Sequence, residues 1–334
     1  MRTLLVFVIS LALMPLASAE VNIYSARQEN LIKPILDRFT EETGIQVNLI
    51  TAGADELTQR LELEGRNSPA DLLLTVDVGR LHRAKEAGLL QPVQSEELAR
   101  QVPEQYRDPE GHWYAMSLRS RVIVYHEDRV DPGNLSTYEA LADDQWEGRI
   151  CIRSSSNIYN QSLVASLISH NGVEQTEAWA RNLVDNMARS PQGGDRDQIG
   201  AVSAGQCDLA VVNTYYLAGM LNSPVADQRE IADSVAVFWP NQNGRGAHVN
   251  VSGAGLTRSA PNPDDARRLM EFLVAEEAQT WYAEANNEYP IRRDIPVSDT
   301  LAEWGEFKAD ELSLEELGIH NAEAVRVMDR AGWR

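Results

Sequence analysis

The chain reads RICIRSSSNIYNQSLVASLI at residues 149–168 and QCDLAVVNTYYLA at residues 206–218. Each stretch begins with a short apolar run, continues through polar residues that favour a helix N-terminus, and then becomes apolar again. This order predicts a strand, a tight turn and a helix. Two such units in succession are typical of an open α/β sheet, in which ligands bind where the strands end.

The same alternation of strand and helix patterns extends outward in both directions. VNIYSA (21–26) and ADLLLTVD (70–77) predict buried strands, with apolar residues at helical spacing between them. RVIVYHE (121–127) and VNVSGAGLT (249–257) mark the points where the pattern restarts and returns, and we interpret them as strands that cross between two lobes. The predicted fold is therefore α/β, with two lobes, two crossing strands and a central cleft.

The crossings also predict the boundaries of the lobes. We assign residues 20–120 plus 247–295 to the first lobe and residues 121–246 plus 296–334 to the second. The length of the chain agrees with this division, because single hydrophobic cores stop growing at roughly 250–300 residues.

Residues 1–19 have the pattern of an export signal. A positive residue near the start precedes an apolar run over residues 4–16, and the small residues Ala-Ser-Ala follow at 17–19. We therefore expect cleavage after Ala19 and a periplasmic location. The apolar run is shorter than the roughly 20 residues that a membrane-spanning helix needs.

The charge balance excludes one broad class of partner. The chain has 50 acidic and 30 basic residues, which gives a net charge of −20. Such an excess of negative charge disfavours binding to nucleic acid or to anionic lipid. We expect an acidic surface that keeps the protein in solution, no nucleic-acid partner, and a monomer.

Three tyrosines are the candidate ligands of a metal ion. Tyr159 follows the first turn, and Tyr215 and Tyr216 follow the second. Adjacent side chains of a strand point to opposite faces, but a helix that starts at this turn lets both face one cleft. Three phenolates would balance a trivalent cation, and hard anionic oxygens suit ferric iron. Taken alone, however, an adjacent tyrosine pair serves packing more often than metal binding.

The two cysteines, Cys151 and Cys207, form a candidate disulfide in an oxidising compartment. Each lies eight residues before a tyrosine of the candidate site, Tyr159 or Tyr215, and each lies at or just before an apolar run. If these runs are neighbouring parallel strands, the two sulfur atoms could face each other. The alternative is a pair of buried free thiols.

The two opening stretches closely resemble the ferric-iron-binding proteins of bacterial ABC importers. The resemblance continues over the mature chain through PADLLLTVDVGRL (69–81), LRSRVIVYHEDRV (118–130) and NNEYPIR (286–292). It implies the two-lobed periplasmic binding-protein fold of type II, delivery of the ion to an inner-membrane ABC permease, and coordination of ferric iron by Tyr159, Tyr215 and Tyr216.

The sequence departs from the family at one position of the site. Many relatives have a histidine, or a histidine followed by tyrosine, just after the first strand, where this chain has Gln28 and Glu29. Gln28 is a poor iron ligand and Glu29 is a candidate ligand. The family also completes the metal shell with water or a small anion such as carbonate, and Arg27 and Arg121 are the candidates to hold that anion. Their alternative role is in salt bridges.

Four further polar residues are expected around the tyrosines. Asp77 ends a strand where relatives place an acidic residue near the metal, although a helix cap is the better interpretation. Three asparagines are expected to hold the turns that carry the tyrosines: Asn157, Asn160 and Asn213.

These features favour a binding protein that undergoes no catalytic turnover. The alternative is a protein of the same fold that binds an organic anion or a polyamine, with the tyrosines as ordinary aromatic residues of the cleft. We do not expect an enzyme, because the sequence has no nucleophile elbow, no zinc-protease motif and no phosphate loop.

Overall fold

The computed structural model describes residues 19–334, so the predicted signal segment lies outside the described residues except for Ala19. Nine strands make up the sheet structure of these described residues. Their bounds are β1 (Glu20–Ser25), β2 (Gln46–Thr51), β3 (Leu72–Val76), β4 (Leu90–Gln91), β5 (Tyr114–Tyr125), β6 (Ile150–Cys151), β7 (Leu209–Asn213), β8 (Ala236–Phe238) and β9 (Val249–Thr257).

Fourteen α-helices and several 3-10 turns surround the strands within the described residues. The helices are α1 (Lys33–Thr43), α2 (Ala54–Glu64), α3 (Val78–Glu86), α4 (Glu96–Gln101), α5 (Ile158–Asn171), α6 (Val173–Asp185), α7 (Asp195–Ser203), α8 (Thr214–Leu221), α9 (Ala226–Asp233), α10 (Pro263–Leu273), α11 (Glu276–Asn286), α12 (Asp299–Glu303), α13 (Glu315–Ile319) and α14 (Asn321–Arg330). The 3-10 turns are Glu29–Leu31, Gly65–Asn67, Glu104–Tyr106, Pro132–Asn134, Glu139–Ala142 and Asp144–Trp146.

The sheet has the order β2-β1-β3-β9-β5-β7-β6, with β4 beside β9 and β8 beside β5. At one end, β1 pairs in parallel with β2 and β3. At the other end, β6 pairs in parallel with β7. Helices connect these parallel strands, and the predicted α/β class is confirmed.

The strand β5 connects the two parts of the sheet. Its first residues, from Tyr114 to Ser120, pair with β9, and its last residues, from Arg121 to Tyr125, pair with β7. We predicted this crossing strand at residues 121–127, but it starts at Tyr114. The sequence pattern did not predict the early part of the strand. This part is buried, but it contains polar residues such as Ser117 and Arg119, which interrupt the apolar pattern of a buried strand.

The C-terminal segment contacts both parts of the molecule. Helix α13 packs against α3 and α5, and α14 packs against α5 and α6. The ammonium of Lys85 on α3 lies 3.3 Å from the carboxylate of Glu315 on α13. The assignment of residues 296–334 to the second lobe, like the other lobe boundaries, remains a prediction, and the segment itself joins α3 to α5 and α6.

None of the helices within residues 19–334 is long and apolar enough to cross a membrane.

The predicted disulfide is present. Cys151 and Cys207 are bonded, with their Cα atoms 5.8 Å apart. Cys151 ends β6, and Cys207 lies just before the parallel neighbour β7, as the spacing of the two cysteines predicts. Both cysteines are buried among Val122, Val124 and other apolar side chains behind the strand ends. The bond therefore fixes the strands that precede the two tyrosine turns.

We predict that loss of this disulfide lowers the free energy of unfolding by about 2–4 kcal/mol, because the bond restricts the unfolded chain. Urea denaturation should show this loss of stability in three variants: Cys151→Ala, Cys207→Ala and the double variant. Since either substitution removes the same bond, the double variant should lose little more than a single variant. Losses that add up fully, or an unchanged transition, would contradict a stabilising role.

Candidate functional site

A cavity of about 550 Å³ lies between the end of β1 and the first turns of α5 and α8. It brings residues of the first strand end, of the two tyrosine turns and of the segment after α11 together. The residues that line it include Ala26, Arg27, Gln28, Asn30, Val76, Tyr159, Arg196, Tyr215, Tyr216, Gly219, Asn286, Asn287 and Glu288. All three tyrosines that the sequence singled out therefore face one space.

Tyr159 is the second residue of α5, and two asparagines fix its turn. The side-chain oxygen of Asn157 accepts a hydrogen bond from the backbone N–H of Tyr159 at 3.1 Å and so caps the helix. The side-chain amide of Asn160 donates to the carbonyl oxygens of Arg153 at 2.8 Å and Ser154 at 3.2 Å. These bonds hold the loop before α5 against its first turn.

The second turn places Tyr215 and Tyr216 side by side. Strand β7 ends at Asn213 and α8 begins at Thr214, so the two tyrosines lie in the first turn of a helix. Their ring centroids are 4.3 Å apart. The hydroxyl of Tyr215 donates a hydrogen bond to the hydroxyl of Tyr159 at 3.2 Å. The change from strand to helix is thus what lets adjacent side chains converge.

Burial raises the pKa of both adjacent phenols, Tyr215 and Tyr216. It raises the pKa of Tyr215 well above the ordinary value, and the neighbouring phenols of Tyr159 and Tyr216 add to this effect. The pKa of Tyr216 is also raised, first by burial and then by Tyr159 and Asp195. Both phenols are therefore neutral at pH 7 without a cation. A bound metal ion would have to displace their protons.

Three guanidinium groups surround Tyr159. The guanidinium carbons of Arg119, Arg121 and Arg153 lie 5.7, 6.0 and 5.5 Å from the centre of its ring. Asp195, which is buried, lies 3.5 Å from Arg121 and 3.3 Å from Arg153. One carboxylate thus pairs with two guanidinium groups. The three arginines and Asp195 together give the surroundings of Tyr159 a net positive charge.

The side chain of Arg121 is occupied inside the protein. It donates to the side-chain oxygen of Asn160 at 2.8 Å, to that of Asn213 at 3.2 Å and to the carbonyl oxygen of Val211 at 3.0 Å. Arg121 therefore ties both tyrosine turns to β5. Asn160 and Asn213, both predicted to hold these turns, are its partners.

Arg27, the other arginine predicted to hold an anion, is also paired. Its guanidinium contacts the carboxylate of Glu288 at 3.1 and 2.9 Å and donates to the hydroxyl of Ser252 at 2.8 Å. Ser117 donates to the same carboxylate at 3.0 Å. Arg27 and Glu288 are both buried, so this bidentate pair neutralises two charges on the cavity wall.

Arg119 was missed by the sequence reasoning. It is 1% exposed, and it donates to Ser252 at 3.2 Å. Its Nε and Nη2 atoms have no hydrogen-bond partner, and no carboxylate among residues 19–334 forms an ion pair with it. A signal was available, because a charged residue two positions before Arg121 lies on the same side of a strand.

Gln28 and Glu29 follow the end of β1, and both are exposed. Gln28 lines the cavity and precedes the 3-10 turn Glu29–Leu31. Glu29 begins that turn. The structure thus brings Gln28, but not Glu29, to the wall of the cavity that the tyrosines share.

Asp77 lies deeper and is fully engaged. One carboxylate oxygen accepts from the backbone N–H of Gly79 at 3.0 Å, which caps α3, and from the hydroxyl of Ser162 at 2.6 Å. The other accepts from the side-chain amide of Asn250 at 2.9 Å. Because Ser162 belongs to α5, Asp77 joins the two parts of the molecule next to the site, and it does not line the tyrosine cavity.

A smaller space lies behind Tyr159, lined by Asp77, Arg119, Arg121, Asn213, His248 and Asn250. Burial, together with the charges of Arg121 and Arg119, lowers the pKa of His248 to about 3. The imidazole is therefore neutral at pH 7 and adds no positive charge behind the tyrosine.

One other group of potential metal ligands, away from the cavity, consists of Asp108, Glu110 and His112. The ammonium of Lys85 contacts Asp108 at 2.6 Å and Glu110 at 3.0 Å. Since a lysine already supplies the positive charge there, this group is a salt-bridge cluster.

Known proteins share this architecture. The family model described as bacterial extracellular solute-binding protein matches residues 67–309. Iron uptake protein A1 of Synechocystis is 53% identical over 315 residues, which cover 94% of this chain and 88% of that protein.

Solved structures agree with the sequence comparison. A Trichodesmium protein, solved in complex with iron and citrate ligands, has a TM-score of 0.92 and 47% identity, with 95% of this chain and 100% of that chain covered. Apo FutA2 from Synechocystis has a TM-score of 0.90 and 45% identity, with 95% and 100% covered. The predicted two-lobed binding-protein fold is confirmed, and the chain belongs to the family of bacterial extracellular solute-binding proteins.

Proposed function

We propose that this protein binds ferric iron in the cavity through Tyr159, Tyr215 and Tyr216 and delivers the ion to an inner-membrane ABC permease. The observation that carries the proposal is the convergence of three phenols from two strand-to-helix turns. Tyr159 and Tyr215 already share a hydrogen bond at 3.2 Å, and Tyr216 lies against Tyr215. A cation that replaces the shared proton would meet oxygen ligands on one side of the cleft.

The charge of the ligand set selects a trivalent ion. Three phenolates carry three negative charges, and hard anionic oxygens suit ferric iron better than they suit copper or zinc, which prefer imidazole or thiolate. The lining of the cavity contains no histidine or cysteine among the described residues. Zinc and copper therefore lack their preferred ligands in this space.

Water or a small anion would complete the metal shell. Arg27 is paired with Glu288, and Arg121 holds Asn160 and Asn213, so neither is the best partner for an anion. Arg119 has two unpartnered donor atoms beside Tyr159, but it lines the space behind that ring and not the tyrosine cavity. An anion held in the cavity by one of these three arginines would therefore have to share Arg27 with Glu288. Carbonate and a carboxylate of citrate are both planar oxyanions that match a guanidinium.

The names of the relatives agree with this proposal. The Synechocystis relative is called an iron uptake protein, and the Trichodesmium structure contains iron and citrate. We assign to this chain the corresponding role: export by the signal of residues 1–19, capture of ferric iron in the periplasm as a monomer, closure of the lobes, and release to the permease without catalysis.

The polyamine alternative conflicts with the lining of the cavity. A polyamine needs carboxylates, and the acidic residue that lines the cavity is Glu288, whose charge is neutralised by Arg27. An organic anion would accept hydrogen bonds from these phenols, so the absence of a visible band with ferric citrate is the result that would favour that alternative.

We predict that Tyr159→Phe, Tyr215→Phe and Tyr216→Phe each weaken ferric binding severely. Substitution of a residue that only supports a metal ligand lowers metal affinity by roughly 10–100-fold, and loss of a ligand itself should cost more. Each substitution removes one ligand oxygen and keeps the ring. Ferric phenolates absorb visible light, so the visible band that forms on addition of ferric citrate should shift or vanish.

Two controls accompany these variants. Gln28→Ala removes a side chain on the wall of the cavity and should change affinity far less, and Tyr282→Phe changes a buried tyrosine that does not line the cavity. Unchanged colour and affinity in the three site variants, with a loss in Gln28→Ala or Glu29→Ala, would show that the tyrosines are packing residues.

We further predict that ferric binding at pH 7 releases at least the protons of Tyr215 and Tyr216, because their raised pKa values keep both phenols neutral beforehand. Affinity should therefore rise with pH. Calorimetric titration with ferric nitrilotriacetate, in buffers of different ionisation enthalpy, counts the protons.

The Tyr215→Phe and Tyr216→Phe variants provide the internal comparison, because the iron donor contributes equally in every titration. Each should release about one proton fewer than the wild type, where residual binding allows the measurement. The same count in both variants and the wild type would show that these phenols are not ligands.

A further inference from the structure

An irregular hydrogen bond joins β5 to the residue before β9 where β5 changes its partner from β9 to β7, which we call the crossing point. The pairing of Ser120 with Val249 places Arg121 opposite His248, in the register of a hydrogen-bonded antiparallel pair. Such a pair normally exchanges two backbone bonds. The first is present, because the N–H of Arg121 donates to the carbonyl oxygen of His248 at 3.1 Å. The second direct bond is replaced.

The hydroxyl of Tyr138 takes the place of that second bond. It accepts from the backbone N–H of His248 at 3.0 Å and donates to the backbone carbonyl oxygen of Arg121. The phenol is thus inserted into the ladder between the two strands. Both backbone groups have a partner, but the partner is a side chain from a third segment.

The body of Tyr138 is fixed to the second lobe. The residue is 1% exposed. Its backbone N–H donates to the side-chain oxygen of Asn241 at 3.0 Å, and its carbonyl oxygen accepts from the indole N–H of Trp179 at 2.8 Å. The hydroxyl therefore cannot follow the strands freely, and it connects the crossing point to the second lobe.

We propose that Tyr138 is a positioning residue of the hinge, whose hydroxyl sets the angle between the lobes and thereby the retention of bound iron. The iron part of this proposal rests on the proposed function. A change of interlobe angle has to alter the backbone dihedrals where the strands cross, and the inserted hydroxyl restrains both strands there.

Arg121 also connects the hinge to the proposed metal site. Arg121 contributes its carbonyl oxygen to Tyr138, while its guanidinium holds Asn160 and Asn213 in the two tyrosine turns. Tyr138 itself does not line the tyrosine cavity. A change at Tyr138 therefore alters the hinge without removing a ligand.

The first test measures the distance between the lobes in the iron-free protein. Spin labels at Leu63→Cys and Val225→Cys report on it, since these residues are 82% and 49% exposed and lie in different lobes. The native cysteines are bonded to each other and do not react. Tyr138→Phe should broaden the distance distribution measured by pulsed electron spin resonance.

Tyr114→Phe is the matched control. The hydroxyl of Tyr114 is also buried and donates to one backbone carbonyl oxygen, that of Val93 at 3.1 Å, within the first lobe. This variant loses a buried hydrogen bond without touching the crossing point. Its distance distribution should match that of the wild type, even if its stability falls.

The second test measures release of ferric iron to an excess of chelator. Release from Tyr138→Phe should be about tenfold faster than from the wild type, because two buried backbone groups lose their partner at the hinge. The visible band should keep its position, since the ligands remain, and Tyr114→Phe should release iron at the wild-type rate.

The outcomes separate the two proposals. Wild-type distances and release in Tyr138→Phe, or equal changes in Tyr138→Phe and Tyr114→Phe, would overturn the hinge role. A wild-type protein that neither binds ferric iron nor becomes coloured would overturn the proposed function, and the distance measurement would still decide the role of Tyr138.

Discussion

The arrangement of the site depends on the hydrogen bonds of the buried guanidinium of Arg121. Its bonds to Asn160 and Asn213 join the two turns that carry the tyrosines, and its contact with Asp195 balances its charge. Asp195 also accepts a bond from the backbone N–H of Asn213 at 2.8 Å. A buried charge that lost these partners would be strongly destabilising, so the two turns are held in one arrangement.

The same network gives the cleft an electrostatic character suited to phenolates. Arg119, Arg121 and Arg153 surround Tyr159, and Asp195 compensates part of their charge. Positive charge in a buried setting favours anionic oxygen more than it would in water, because the local dielectric response is weaker. On the opposite wall, Arg27 and Glu288 cancel each other. The arrangement concentrates the available positive charge on the side of the tyrosines.

The site and the hinge are parts of one hydrogen-bonded structure. Arg121 lies where β5 changes its partner from β9 to β7, so the residue that holds the tyrosine turns is also the residue at the crossing point. Asp77 adds a second connection through Ser162 of α5. Any movement of the lobes at this crossing would therefore act on the two turns that carry Tyr159, Tyr215 and Tyr216.

The sequence by itself determined the features that depend on local pattern: the α/β alternation, the two strand-to-helix turns that carry Tyr159, Tyr215 and Tyr216, and the spacing that predicted the disulfide. Propensity and capping act over a few residues, and such signals can be read directly from the chain.

Only the tertiary structure decided which partner each buried charge has. Arg27 pairs with Glu288, 261 positions away, whereas Arg119 has no carboxylate partner among the described residues. The position of the Tyr138 hydroxyl between Arg121 and His248 is likewise visible only in the tertiary structure. Such partners are chosen by three-dimensional packing and by the cost of burying an unpaired polar group, and no local periodicity records either.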